Sequence, residues 1–423
     1  MSQRDITQTA QPRPAGSAPQ TRPRPLFVET LSIPAFRYLW FSNGLTGMGV
    51  QLRAMVVAWL VLEMTGSTMW MGMTNGLPTT AIVIFSLLGG VLADRTNRRT
   101  LLMWSRITLA ALSFLMALLV TLGLIEIWQL IVLVILAGGF NALDLTVSRA
   151  LVFDVVGKQK ILSASSMNTM AISLGNILGP TIAGVLIARA GVDAALYLLF
   201  AAYLVSFVVL IRVKGSQPTA QPKRASIARD LAEGFRYIQS APIIASLLAL
   251  GALAPMATIY IAMMPIYARE VLSTGAQGFG LLVAAWGLGG IIGSVFLTVK
   301  GGKGHKGLIV FGSGLALGVL MIGFAYSQVF PISFALTAGF GFFAMVWLNS
   351  VNAVLQTVVA DEMRGRVIGI FTMAPQLMTL GWLLGGAMEV LMGSQTTLVV
   401  SGGFVIAFSL LVLSRSPGLI RID

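Results

Sequence analysis

Long apolar runs recur along this chain, broken by short clusters of Gly, Pro, amide and charged residues. A spanning helix needs roughly 20 mostly apolar residues. Twelve segments meet that length: 36–63, 69–93, 101–123, 127–150, 162–189, 193–213, 242–268, 277–299, 307–327, 331–357, 367–392 and 396–414. Strands of a membrane barrel would alternate in stretches of about ten residues, and these runs do not alternate. The pattern predicts an all-α membrane protein with twelve transmembrane helices in two pseudo-symmetric six-helix bundles.

The interruptions set the organisation. Residues 1–33 are rich in Pro, Gln, Arg and Ser and read as a disordered cytoplasmic tail. They lack the apolar stretch of a cleaved signal peptide. The longest connection, 214–241, carries GSQPTAQPKRAS and then an amphipathic stretch, IARDLAEGFRYI. It separates an N-terminal bundle at 34–213 from a C-terminal bundle at 242–414, and 415–423 form a second tail. Asn141 and Asp144 in the fourth segment are echoed by Asn349 and Asn352 in the tenth. Gly175 and Gly179 in the fifth are echoed by Gly381 and Gly385 in the eleventh. Similar offsets in the same order imply a parallel duplication, which places a substrate site at the midplane between the halves.

Charge then orients the chain. With the N-terminus inside, 25 of the 28 Lys and Arg fall in cytoplasmic connections or tails, among them Arg106, counted with the loop before the third segment. Arg189 and Arg269 fall outside and Arg53 within a span. Positive residues mark the cytoplasmic side, so both termini are expected there. This also accounts for the net charge of +13 without nucleic acid as a partner.

Composition removes other classes. The chain is 56% hydrophobic and 10% charged, whereas soluble domains carry about 25% charged residues. With no Cys and one His, His305, it has no thiolate ligand, no disulfide and no metal-ligand cluster. A phosphate-cradling GxxxxGK[ST] loop is missing. Neither enzymatic chemistry nor a cofactor is expected; the expected partners are the lipid bilayer and a small-molecule substrate.

Between the second and third segments the sequence reads GGVLADRTNRR. This resembles the loop signature of the major facilitator superfamily, G-x-x-x-D-R-x-x-R-R, on Gly90, Asp94, Arg95, Arg98 and Arg99. FRYLW at 36–40, WLVLEMTGS at 59–67, RALVFDVV at 149–156 and DEMRGRV at 361–367 are similar to its enterobactin-exporter-like and multidrug efflux branch. Asp94 at a helix end can sit against the positive end of the eleventh helix. Arg98 or Arg99 can pair with Asp154. These contacts are expected to form a conformational latch holding the inner rims together. The second half departs from the signature, with Leu297 in the place of the Asp.

The fifth segment holds GNILGPTIAG, in which Gly175, Gly179, Pro180 and Gly184 resemble the family's antiporter motif, with Ala183 replacing one Gly. The resemblance implies efflux; a small-residue packing face explains the same residues.

Ionisable groups inside a span are default site candidates. Arg53 lies roughly 21 Å into a core of about 30 Å, with Gln51 near it. Asp144 lies about 9 Å from the inner end, so a direct pair with Arg53 is not expected. Asp144 is the proton-coupling candidate; the competing reading pairs it with Arg149 or helix-end donors. Tyr260, Trp286, Asn141, Asn349, Asn352 and Gln376 complete the candidate substrate site, and Asn75 and Asn168 are further polar positions. The resulting expectation is a monomeric secondary transporter working by alternating access, a proton-coupled exporter of an amphiphilic or weakly anionic molecule. The alternatives are lipid or lysolipid translocation, uptake, or a non-transporting receptor or scaffold.

Overall fold

In the computed structural model of this protein the described residues run from 26 to 415, leaving out 79–80, 83–84, 86–91, 93–95, 214–232, 234–235, 240, 252, 301–305, 361–362, 364–366, 368–369 and 372–373. Among them there are helices and no strand. The first half holds α1 (Leu26–Leu31), α2 (Pro34–Thr65), α3 (Thr68–Gly76), α4 (Arg98–Thr121), α5 (Ile127–Gly157) and α6 (Gln159–Leu210). The second holds α7 (Pro242–Gly251), α8 (Ala254–Ile266) with a π turn at Tyr267–Val271, and α9 (Gly275–Lys300). It continues with α10 (Lys306–Ala325), α11 (Phe330–Val358), α12 (Ala374–Met392) and α13 (Ser394–Arg415).

Nine helical segments among the described residues are long and apolar enough to cross a membrane. One of them, α6, has 52 residues, about 78 Å if straight and more than twice a bilayer core. It turns at Gly191, where φ is +91°, a conformation that suits glycine because it has no Cβ. The two limbs are therefore separate crossings. The segments expected at 69–93 and 367–392 are described only in part, by α3 and by α12. The arrangement is consistent with twelve crossings.

Two boundaries differ from expectation. The fourth crossing continues past 150 to Gly157. Leu151, Val152 and Val156 stay buried against Phe36, Leu39 and Leu102, and the charge that marks the lipid boundary, Asp154, is paired rather than solvated. The helix thus outlasts the bilayer. Residues 26–33 belong to a docked segment rather than the expected tail. Thr30 donates to Ser163 at 3.3 Å, Lys160 pairs with Glu29 at 3.0 Å, and Leu31 and Ile33 pack on the same core. Residues 1–25, most of the connection at 214–241 and 416–423 lie outside the described residues.

Helices α2, α4, α5 and α6 pack together, as do α8 to α13. Between lipid-facing helices there is no hydrophobic drive, so close backbone approach through small residues supplies the packing. A Cβ on Gly175 or Gly179 would lie 2.6 Å from the Met48 amide nitrogen or carbonyl oxygen, so the first limb of α6 lies directly on α2. In the second half Gly381 meets the Pro255 carbonyl and Gly385 meets Ile259, seating α12 on α8. The glycine echo read from the sequence therefore marks the same pair of helices in each half.

The halves meet along two seams, α3 against α12 and α6 against α9. A Cβ on Gly386 would lie 2.6 Å from the Thr68 carbonyl oxygen. One on Gly184 would lie 2.8 Å from that of Ala276, and one on Gly280 2.7 Å from that of Pro180. These contacts lie from mid-depth to the end away from the start of α2 and the finish of α13. That end is hereafter the far end, and the one bearing Pro34 and Arg415 the near end.

The α9–α11 crossing is equally tight: Gly289 faces the Ala338 carbonyl and Gly341 that of Trp286. Overpacking of this kind costs about 1–3 kcal/mol. Gly289→Ala is expected to lower the melting temperature of the purified protein, and Gly403→Ala, which faces open space, to leave it unchanged. Thermal unfolding in detergent compares the two.

Candidate functional site: a central cavity with one polar wall

A cavity of about 560 Å³ lies between the halves. Its polar side chains come mainly from the first half, set among apolar ones such as Val50, Ile82 and Leu145: Asn43, Thr46, Gln51 and Arg53 of α2, Asn75 of α3, Asn141, Asp144, Ser148 and Arg149 of α5, and Asn168 of α6. Its second-half wall is mostly apolar: Thr258 and Ile261 of α8, Phe279, Val283 and Trp286 of α9, and Trp382 of α12. Asn43, Ser148, Arg149 and Asn168 draw it toward the near end, and the glycine seams close the far end. Two polar contacts reinforce that closure. Thr68 donates to the Glu389 carboxylate across the α3–α12 seam, and Arg269 donates to the Leu62 carbonyl at 3.0 Å.

Behind the polar wall a charge network ties the first half together. Arg106 of α4 is fully buried. Its Nε donates to Asp144 Oδ1 at 2.9 Å, its guanidinium also donates to Asn43 Oδ1 at 2.6 Å and Ser206 Oγ at 3.0 Å, and it bonds Ser42. Ser148 donates to Asn43 at 3.0 Å, and Asn43 donates to Asn168 at 2.7 Å. Ser42 and Ser206 are bonded at 2.9 Å. Four helical limbs thus meet at one guanidinium, and a fifth, the first limb of α6, joins through Asn168 and Asn43; the network satisfies a buried charge that would otherwise be prohibitive.

This corrects the expected placement of Arg106 in a cytoplasmic loop and the expected partners of Asp144. The cause is the position of the helix start. Asn97 accepts from the backbone amides of Arg99 and Thr100 and caps α4 there. Arg106 is then eight residues, about 12 Å, inside the helix. The Asn97 cap was the signal in the sequence, since Asn is a strong helix N-cap.

Arg53 is buried but left nearly free. Its terminal nitrogen reaches the Val134 carbonyl at only 3.4 Å, and its Nε has no partner among the described residues. Tyr203 of the second limb of α6 sits beside both Arg53 and Asn141. Gly49 makes room for that ring, since a Cβ there would lie 3.0 Å from Tyr203 Cζ. Yet among the described residues neither the Tyr203 hydroxyl nor Asn141 Nδ2 makes a close hydrogen bond. Arg53 and Asn141, grouped around Tyr203, thus hold buried donors that are weakly satisfied just behind the cavity lining.

Of the expected substrate residues, Gln51, Arg53, Asn141, Asp144 and Trp286 are brought together at the cavity. Tyr260 is not: it is buried in the second half, bonded to Thr337 at 2.9 Å and stacked on Phe340 at 4.1 Å. Asn349 is exposed and donates to Ser294 at 3.3 Å, and Asn352 accepts from Gln356 at 2.9 Å. Their face of α11 is turned from the cavity, which a count of depth cannot reveal. The side chain of Gln376 lies outside the described residues. Thr46 and Trp382, both lining the cavity, carry too weak a sequence signal to single out.

In the loop signature, Gly90, Asp94 and Arg95 lie outside the described residues. Arg98 pairs with Asp154 at 2.8 Å, both side chains buried. That pair joins α4 to α5 within the first half, not one rim to the other, and it is formed while the near end is open. Arg99 donates to the Ile211 carbonyl at 2.6 Å, at the end of α6, where a cation is favoured by the helix dipole.

Two helical bundles around a central cavity closed at one end define a membrane transporter of the major facilitator type. Solved structures agree on the fold. A bacterial homolog of the human lysosomal transporter Spinster, in an inward-facing and unoccupied conformation, superposes with a TM-score of 0.75 at 12% identity, covering 94% of this chain and 98% of that one. The nucleoside transporter NupG gives 0.70 at 12% identity, over 90% and 99%. The family model described as "Transmembrane secretion effector" matches residues 28–418. The chain belongs to that family, within the major facilitator superfamily. Similar curated proteins include the enterobactin exporter EntS of Citrobacter koseri, 29% identical over 90% of this chain and 91% of the relative. The exporter of the same name in Escherichia coli is 28% identical over 90% of each.

The buried pair makes a separable prediction. Removing one partner of such a pair costs about 3–5 kcal/mol, because the other charge is left uncompensated. Arg106→Leu is expected to destabilise strongly, and Arg106→Leu with Asp144→Leu to regain part of the loss. Melting temperatures of the two singles and the double variant measure the coupling.

Proposed function

We propose that the chain is a secondary active exporter of small, amphiphilic, weakly anionic organic molecules, acting as a monomer in the cytoplasmic membrane by alternating access and driven by protons through Asp144. The observation that carries the reading is Arg53: a buried guanidinium that lines the cavity and whose Nε has no partner among the described residues. A permanent cation held out of water attracts an anion strongly. Phe279, Trp286 and Trp382 opposite it suit the apolar part of the same molecule. The relatives named as enterobactin exporters support efflux of an organic solute.

The excess of Lys and Arg in the connections at the near end puts that end in the cytoplasm. The cavity then opens inward, the side from which an exporter loads. Asp144 lines it and is held by Arg106. A proton arriving on Asp144 from the outward-facing state would remove the charge opposite Arg106 and loosen α4 against α5. Release of that proton to the cytoplasm would restore the ion pair seen here. Closing inward requires the near-end rims to meet, and the Asp94 to Arg99 cluster is the latch for that state, with the Arg98–Asp154 pair bracing its base.

Two experiments test this. In proteoliposomes, efflux of anionic aromatic compounds is expected to rise with an imposed pH gradient. Asp144→Asn is expected to abolish that response while keeping downhill flux, and a gradient response that persists in this variant removes Asp144 as the carrier. Arg53→Ala is expected to raise the KM for an anionic substrate by about tenfold or more, equivalent to roughly 1.4 kcal/mol, with little effect on a neutral analogue. An equal effect on both would remove the role of Arg53.

A further inference from the structure

A second, smaller cavity of about 80 Å³ lies inside the second half, behind the apolar wall of the first. The two share the side chains of Ile261 and Trp286. Its walls are aromatic and thioether surfaces, with Phe340, Met345 and Trp347 on α11 and Met321 on α10. The small residues Ala257, Gly314 and Ala344 leave the slot between them.

The surface of this slot is almost wholly apolar, but buried polar atoms lie directly behind it. Trp347 is 7% exposed, and its indole nitrogen has no hydrogen-bond partner among the described residues. The hydroxyl of Ser409, from α13, is buried and unpartnered as well. Both lie at Gly314, whose Cβ position is 3.8 Å from Trp347 Nε1 and 3.2 Å from Ser409 Oγ. Trp286 Nε1, on the partition, is a third buried donor without a partner among the described residues. Buried donors are nearly always paired, and leaving each unmade costs about 1–3 kcal/mol. An apolar slot backed by N–H groups without a partner among the described residues matches a flat ring whose oxygen acceptor draws them to its edge. Aromatic walls and methionine sulfur favour a ring over an alkyl chain.

We infer that this cavity is a second compartment of the substrate site, taking an oxygen-bearing aryl group while Arg53 takes the anionic end of the same molecule. The inference rests on the proposed transport function and adds the class of substrate. A benzene ring occupies a cavity of roughly 150 Å³, so the slot as it stands is too small. For the ring to enter, the partition formed by Ile261 and Trp286 must open. Bound in this way, the molecule spans both bundles, and its length becomes part of what is selected.

The test uses purified full-length protein in nanodiscs and three probes: hydroxynaphthoate, naphthoate and octanoate. Binding is measured by calorimetry, and variants are first matched to wild type by thermal unfolding. Hydroxynaphthoate is expected to bind most tightly. Ala344→Leu, which fills the slot, is expected to weaken hydroxynaphthoate about tenfold or more and leave octanoate unchanged. Trp347→Phe keeps the ring and removes the N–H; it is expected to erase the preference for hydroxynaphthoate over naphthoate, about three- to tenfold for one hydrogen bond.

No binding of hydroxynaphthoate to wild type, or equal effects of Ala344→Leu on hydroxynaphthoate and octanoate, overturns the second compartment. If Arg53→Ala weakens all three probes while Ala344→Leu changes none, the compartment fails and the transport reading stands. If Arg53→Ala changes none and no probe crosses the membrane in vesicles, the transport reading itself fails.

Discussion

The first half of this protein is organised around one buried charge. A guanidinium cannot be left bare in a low-dielectric interior, and Arg106 is fully enclosed. It is tolerated because Asp144 neutralises it and Ser42, Asn43 and Ser206 accept its remaining N–H groups. The acceptors come from three separate helical limbs, so satisfying Arg106 requires α2, α4, α5 and the second limb of α6 to take a single mutual arrangement. Hydrophobic attraction does not supply that specificity between helices in lipid. The same network presents Asp144, Asn43 and Ser148 at the cavity wall, so the group that fixes the bundle also shapes the site.

The halves share a plan but not a chemistry. Glycines at matching positions seat α6 on α2 and α12 on α8. The amide and acid positions have diverged. Asn141 and Asp144 face the cavity, whereas Asn349 and Asn352 bond to Ser294 and Gln356 away from it. The polar face therefore comes from one half and the aromatic face from the other.

The seams that join the halves are made of backbone against backbone. Gly184 and Gly280, and Gly386 with Thr68, bring helices close enough for many weak dispersion contacts. Such contacts are smooth and lack long side chains to disentangle. The two polar contacts at the far end, Thr68 to Glu389 and Arg269 to the Leu62 carbonyl, are few and near the helix ends. A joint of this kind is firm when closed and separable as a rigid body.

How much of this was legible beforehand depends on the range of the interaction. Helical class, apolar length and the excess of basic residues at one end are local properties, and the bilayer imposes them on the sequence directly. The depth of Arg53 and Asp144 follows from the rise per residue, and both indeed line the cavity. The glycine echo was visible for the same reason. Facing and partnering were not. Tyr260 has the composition of a site residue, but its ring stacks on Phe340 from another helix. Arg106 has the composition of a loop residue, yet the Asn97 cap starts the helix early enough to bury it. In lipid a polar side chain is placed by whichever distant group can satisfy it. The sequence alone therefore determined which residues enter the membrane, and the tertiary structure decided which face each other across it.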